Sequence, residues 1–322
     1  MALISGTYTT YDSKGQRESL EDKIYNVSPE DTPFISSIAR RKATAKVEEW
    51  QTDSLATAIT TNAQLEGDDA SYTTPAATTR VGNYMQILRK TCIIAGTDEA
   101  VDKAGRNSEM AYQIAKRGAE IKRDLEANIL DNIGGDAGGV ATARKMATMG
   151  AWIKTNDTVG TSGASPVYTS GVPAAARTDG TQVAFTETIL KATVALMYAS
   201  GAMPRILMLG AFNKAAASAF SGVATRNFDL SNVSPKPTAI IGAADVYVSN
   251  FGTFRIIPNR FQRDRDGWCL DWNLLSLMVL RSLQTKPLAA TGDAEKRLML
   301  WECSLQVKNE AGLGLAADLT TS

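Results

Sequence analysis

Between residues 56 and 79 the chain runs for 24 residues with 13 Ala or Thr and only Ile59, Leu65 and Tyr72 as sizeable apolar side chains. A stretch so poor in apolar surface cannot offset the entropy of ordering itself. Its flanks, 46–55 (KVEEWQTDSL) and 80–95 (RVGNYMQILRKTCIIA), are rich in β-formers. Together they predict one long hairpin whose tip, around Leu65-Glu66-Gly67-Asp68-Asp69, must rest on another surface or stay mobile.

Directly after the hairpin the period changes. Met110, Ile114, Gly118, Ile121, Leu125 and Ile129 recur every three or four residues, which predicts a helix over 108–131, roughly 36 Å long and stopping at Gly134-Gly135. Lys116, Glu120, Lys122 and Glu126 fall on its other face, spaced for i,i+4 pairs in water. Upstream, the first 25 residues are polar and aperiodic, an arm that needs a partner to hold it. Ser28-Pro29 and Thr32-Pro33 then supply two successive helix-start signals, with Ser28 and Thr32 as capping side chains.

Downstream, 144–155 (RKMATMGAWIKT) reads as a short β-like piece, and the Gly/Ser/Thr/Pro stretch 160–181 as a boundary or exposed loop. A helix from Thr186 to Gly201, a buried strand Ile206–Leu209 and an Ala-rich helix from Phe212 to Phe220 follow. Val246 and Val248 are expected to pair with Phe254 and Ile256 across Asn250-Phe251-Gly252. Met299, Trp301, Cys303, Leu305 and Val307 alternate as one face of a half-buried strand.

Composition narrows the chemistry. With 34 Lys+Arg against 34 Asp+Glu, the 322-residue chain has no net charge, which argues against a protein whose main task is gripping nucleic acid. It has no histidine, so Ser-His and Cys-His nucleophiles and imidazole metal sites are excluded. Cys92, Cys269 and Cys303 form no CxxC pair and read as reduced thiols of a cytosolic setting. No signal peptide or membrane span is expected. Gly312-Leu313-Gly314-Leu315-Ala316-Ala317 matches a dinucleotide fingerprint in letters only, and turn glycines after a strand are the better reading. Glu48-Glu49 and Asp68-Asp69 read as solvated charge, since neighbours on a strand point to opposite faces. The run Arg260, Arg263, Asp264, Arg265, Asp266 is either a solvated turn, the favoured reading, or a rim that pairs with a neighbouring subunit.

Three blocks carry a resemblance: NVSPEDTPFISSI at 26–38, RKMATMGAWIKTN at 144–156 and TGDAEKRLMLWECSLQVKNEAG at 291–312. In order and spacing they resemble the major capsid proteins of tailed bacteriophages with the Hong Kong 97-type shell fold. The resemblance implies an α+β subunit without cofactor or catalytic site. Its parts would be an N-terminal arm (1–43), an extended hairpin loop (44–96), a peripheral domain with a spine helix (97–184), an axial domain (185–281) and a return to the peripheral domain (282–322). Such a subunit would assemble with itself in hexameric and pentameric capsomers, in the virion shell after a host-cytoplasm stage. Scaffolding, portal and decoration proteins and weak, nonspecific contact with packaged DNA would complete its partners, and no membrane is involved. Some members of this class carry a removable N-terminal scaffolding region, which is not expected here. Leu65, Glu66, Asp68, Asp69 and Tyr72 at the tip and Arg260, Arg263, Asp264 and Arg265 in the charge run are the subunit-interface candidates. The alternatives are a decoration or tail subunit and, from another class, a histidine-free carboxylate-metal hydrolase.

Overall fold

A computed structural model describes residues 28–29, 31–70, 72–220 and 245–321. The expected polar arm, 1–25, lies outside the described residues. Helix α1 (Pro33–Ser37) opens with proline at its first turn, but Thr32 makes no side-chain cap. Strand β1 (Ala39–Lys42) follows. The hairpin is β2 (Val47–Thr52) against β3 (Thr79–Tyr84), paired antiparallel from Val47–Tyr84 to Thr52–Thr79. Its paired part is shorter than the flanking β-rich segments suggest. Residues Gln86–Ala95 form β4, which turns away and pairs with a strand near the end of the chain.

After the short helix α2 (Gly96–Ala100) comes α3 (Glu109–Ile129), the spine. The Ser108 side chain accepts from Ala111 N and caps it. Ile121, Leu125 and Ile129 are fully buried, as the 3.6-residue period requires. The helix stops before Gly134-Gly135, and these glycines serve a crossing instead. A Cβ on Gly134 would stand 2.3 Å from the Ala174 carbonyl oxygen, and Gly135 N donates to Pro173 O at 2.7 Å. The segment 144–155 is not a strand: Met149–Trp152 is a buried helical turn, α4.

Two sheets organise the rest. The first has the order β1-β12-β13-β4, where β12 is Leu275–Pro287 and β13 is Ala294–Val307. The expected alternation of β13 holds on its apolar face, but Glu302, Ser304 and Gln306 are buried too, so this half of the strand is enclosed on both faces. The second sheet runs β5-β14-β11-β8-β10-β9. Its strands are β5 (Asp157–Thr158), β8 (Ile206–Leu209), β9 (Val246–Ser249), β10 (Gly252–Pro258), β11 (Gly267–Leu270) and β14 (Gly314–Ala316). The hairpin β9–β10 forms in a different register from the expected one. Val248 faces Thr253 and Val246 faces Arg255, leaving both valines exposed while Phe254 is buried. A small hairpin, β6 (Val167–Thr169) with β7 (Val172–Ala175), lies inside the stretch expected to be a plain loop.

Of the fingerprint-like glycines, Gly312 ends a 3-10 turn, Glu310–Gly312, soon after β13, as expected, whereas Gly314 belongs to a strand. Gly314–Ala316 is a buried strand between β5 and β11, and Gly314 leaves room for the Met197 side chain that packs on it. One continuous core joins the spine, β13, α4 and the near face of the second sheet through Leu125, Trp152, Met208, Trp268 and Leu305. Helix α5 (Glu187–Ala199), capped by Thr186, and helix α6 (Ala211–Ser218) close a second core around Leu190, Val194, Leu207 and Phe254.

Candidate assembly surfaces

The hairpin is rigid at one end and uncovered at the other. At the root, Trp50 stacks on Trp152 with centroids 5.4 Å apart and donates its Nε1–H to Val307 O at 3.1 Å. Asn83, fully buried, donates to Ala147 O and Leu305 O and accepts from Ala147 N, between 2.8 and 3.0 Å. Glu48 is buried rather than solvated, and accepts from Thr44 N, Ala45 N and Arg41. Burial acts to raise its carboxyl pKa, but these bonds outweigh it and hold it below the usual range. Glu49 points the other way toward Arg80, as alternation requires. At the tip, Leu65 is 81% and Tyr72 94% exposed, and Glu66, Asp68 and Asp69 are exposed as well. The protein therefore presents acids and two apolar side chains at the end of an arm that its own body does not cover.

A second construction fixes the segment leading into the hairpin. Glu126, placed by the spacing argument on the charged face of the spine, is fully buried. Its two carboxylate oxygens accept from Phe34 N and Ile35 N, each at 2.8 Å, and Oε1 also accepts from Asn259 Nδ2 at 2.7 Å. The first helical turn of α1 has orphan N–H groups that Thr32 does not satisfy, and a carboxylate 92 positions away caps them instead. Burial pushes the Glu126 carboxyl above its ordinary value, opposed by these hydrogen bonds. On the solvent side, Glu120 pairs with Arg117 at 2.7 Å and stands 3.9 Å from Lys90, rather than pairing with Lys116.

The charge run divides in two. Arg263 grips Asp179 with both terminal nitrogens, and Arg265 donates to Asp318 and Gly180 O at 2.7 Å each. Asp266 is fully buried against the equally buried Arg177, 2.5 Å away. These six side chains pin the segment 160–181, expected to be a loop at the surface, to the end of the second sheet. Arg263 lowers the Asp179 carboxyl, while burial raises Asp266 to about 6. Arg260 and Asp264 are exposed.

Of the sequence-selected residues, the five at the tip share one exposed end, whereas Arg263 and Arg265 are internal cross-braces. Asn83, Glu126, Arg177 and Asp318 went unselected. Glu126 carried a usable signal, because three residues before Ile129 it borders the apolar stripe. Among the described residues no group of three His, Cys, Asp or Glu side chains is placed to hold a metal ion, and no helix is long and apolar enough to cross a membrane. Burial pushes the Cys269 and Cys303 thiols up to about 12, so neither is a ready nucleophile.

A projecting hairpin, a spine helix beneath a long-stranded sheet and a second sheet sharing its core make this the Hong Kong 97-type fold of phage capsid subunits. A family model described as the SU10 major capsid protein matches residues 4–320, and the chain belongs to that family. The family is one of structural capsid proteins and not of enzymes. Over 123 residues, 38% of the chain, it is 37% identical to the major capsid protein of Escherichia phage Phieco32. The match spans 35% of that relative's length. Among solved structures, the cyanophage A-1(L) capsid asymmetric unit superposes with a TM-score of 0.62 at 12% identity, covering 98% of this chain and 99% of the other. The capsid of the native GTA particle gives 0.62 at 13% identity, covering 97% and 98%. A chain of Microbacterium phage Oxtober96 gives 0.58 at 10%, covering 94% and 96%. At these identities the likeness is one of fold.

Proposed function

We propose that the chain is the major capsid subunit that self-assembles, through hexameric and pentameric capsomers, into an icosahedral shell enclosing phage double-stranded DNA. The observation that carries this reading is the hairpin, braced at its root by Trp50 and Asn83 and bare at its tip. An extended segment that buries nothing on its own body gains its ordering energy from a neighbour. Leu65 and Tyr72 are the apolar anchors, and Glu66, Asp68 and Asp69 meet cationic side chains of the adjacent copy. Arg260 and Asp264 supply a rim contact, whose shape Arg263 and Arg265 hold from within.

In this reading 1–43 is the arm, 44–96 carries the hairpin, and the first sheet with the spine is peripheral. The part between 185 and 281 that holds α5, α6 and most of the second sheet is axial. Strand β12 crosses the 281 boundary and β14 returns to the axial sheet, so the two units are interlaced. Scaffolding, portal and decoration proteins are further partners, with weak contact to packaged DNA, and assembly takes place in the host cytoplasm before the subunit resides in the virion. Deleting residues 60–74 tests the proposal. The variant is expected to keep its circular dichroism and solubility and to fail to close shells in electron micrographs. Normal shells from the deletion variant, or its outright unfolding, would overturn the role given to the tip.

A further inference from the structure

Between β1 and the spine helix lies an open groove of about 520 Å³. Its walls carry Arg40, Arg41 and Lys42 from β1 and Lys122 from α3, and no carboxylate lines it. Arg41 is committed to Glu48 at 3.2 Å. Arg40, Lys42 and Lys122 are exposed and have no ion-pair partner among the described residues. Nearby cations are matched: Arg117 of the spine lies 2.7 Å from Glu120, and Lys90 of β4 lies 2.7 Å from Asp124. In a chain with no net charge, this groove is a local excess of positive charge.

Its layout suits a polyanion. Arg40 and Lys42 stand two residues apart on a strand, so their side chains leave the same face about 7 Å apart, with Lys122 on the opposite wall. Strand β1 is an edge strand, paired with β12 alone among the described residues. Nucleic-acid backbones are met by Arg and Lys side chains in this way without base readout. The competing occupant is the acidic tip of another copy. That tip brings Leu65 and Tyr72, and the groove offers them the half-buried Val279, Leu280 and Leu283 of β12, beside Trp301, which is only 4% exposed. What favours a phosphate backbone is four cations with no carboxylate among them, three of them in a row along a strand, which fit a chain of regularly spaced phosphates better than three acids grouped at one turn.

We infer that the groove contacts the phosphate backbone of enclosed double-stranded nucleic acid, and that it marks the side of the subunit facing the shell interior. The inference rests on the capsid reading above. Three free cations per copy give a contact that is weak and strongly salt-dependent, which lets the duplex slide while it is packed.

The test is binding of a short fluorescein-labelled DNA duplex of mixed sequence, followed by anisotropy across a salt series. Unassembled wild-type protein is compared with the triple variant Arg40→Gln, Lys42→Gln, Lys122→Gln. Removing three phosphate contacts is expected to reduce the slope of log affinity against log salt by about 2.7. An unchanged slope would overturn the inference. With closed empty shells and duplex added outside, wild type and variant are expected to bind alike, and a surviving difference would overturn the inward orientation. If the variant binds duplex as wild type does and fails to close shells, the groove seats the tip of another copy and the inference is wrong. Failure of the wild type itself to form shells strikes the capsid reading, and the duplex slope still judges the groove separately.

Discussion

Glu126→Gln changes one atom of a buried side chain, and its cost follows from who donates to that atom. The carboxylate accepts from Phe34 N and Ile35 N through separate oxygens, and from Asn259 Nδ2. An amide keeps one acceptor oxygen and places an NH2 against a backbone N–H. One charge-assisted hydrogen bond is lost, about 1.5–3 kcal/mol, and the surviving bonds weaken from charged to neutral. Relief of the buried charge works in the opposite direction, because burial already disfavours the ionised form. The balance is a loss of about 2 kcal/mol, concentrated where α1 meets the spine. Glu126→Leu, which strands all three donors, is expected to cost about 3–5 kcal/mol. Urea unfolding gives the global loss, and amide exchange of Phe34 and Ile35 gives the local one. If Glu126→Gln leaves the unfolding midpoint and both exchange rates unchanged, the carboxylate is not what caps α1, and the argument fails.

Gly171 has φ +81° and a Cβ there would sit 2.2 Å from Arg80 O, so Gly171→Ala should cost about 2 kcal/mol or more by urea unfolding and loosen β3 at the hairpin root. A midpoint equal to wild type would show that the turn relaxes freely. Changing Glu66, Asp68 and Asp69 to Ala should leave subunit stability within about 0.5 kcal/mol and make shell closure slower, with a weaker dependence on salt. Light scattering during assembly reads both. On acidification Asp266 takes up its proton near 6. Its folded pKa is raised, so this site makes the fold more stable as pH falls from 6 toward 3.8. Asp179 is held below 3.8 by Arg263, so the stability it contributes is present above that value and lost only below it. Amide exchange across 160–181 should therefore stay slow down to about pH 4 and rise beneath it. Loosening already near pH 6 would contradict the assignment.

Elements whose pattern is local were legible in the chain. Ser108 and the stripe through Ile129 announced the spine, Thr186 announced α5, and the alternation from Met299 to Val307 announced β13. What stayed hidden depends on partners distant in sequence. Glu126 looks solvated until Phe34 and Ile35 arrive from 92 and 91 residues away. Residues 160–181 look like a loop because their core is ionic, built from Arg177 and Asp179 with Arg263, Asp266 and Asp318. The register of β9 was missed because Val246 and Val248 have strong β-propensity whichever face they occupy, and Tyr247 with Phe254 won the interior. Met149–Trp152 reads as β-like from composition, and four residues are too few to show a helical period. The tip was legible for the opposite reason, since its lack of apolar residues needs no partner to be noticed.

Strand β14 (Gly314–Ala316) lies between β5 (Asp157–Thr158) and β11, hydrogen-bonded to both, so β5 joins the sheet only through a strand far from it in sequence. Until β14 docks, β5 has no strand to join. The hairpin and spine can therefore be complete while the seam that closes this sheet is still open. Pairing over such separations is slow compared with forming a helix. Closing this seam is therefore expected to be a late step in the folding of the subunit, after the spine helix has formed.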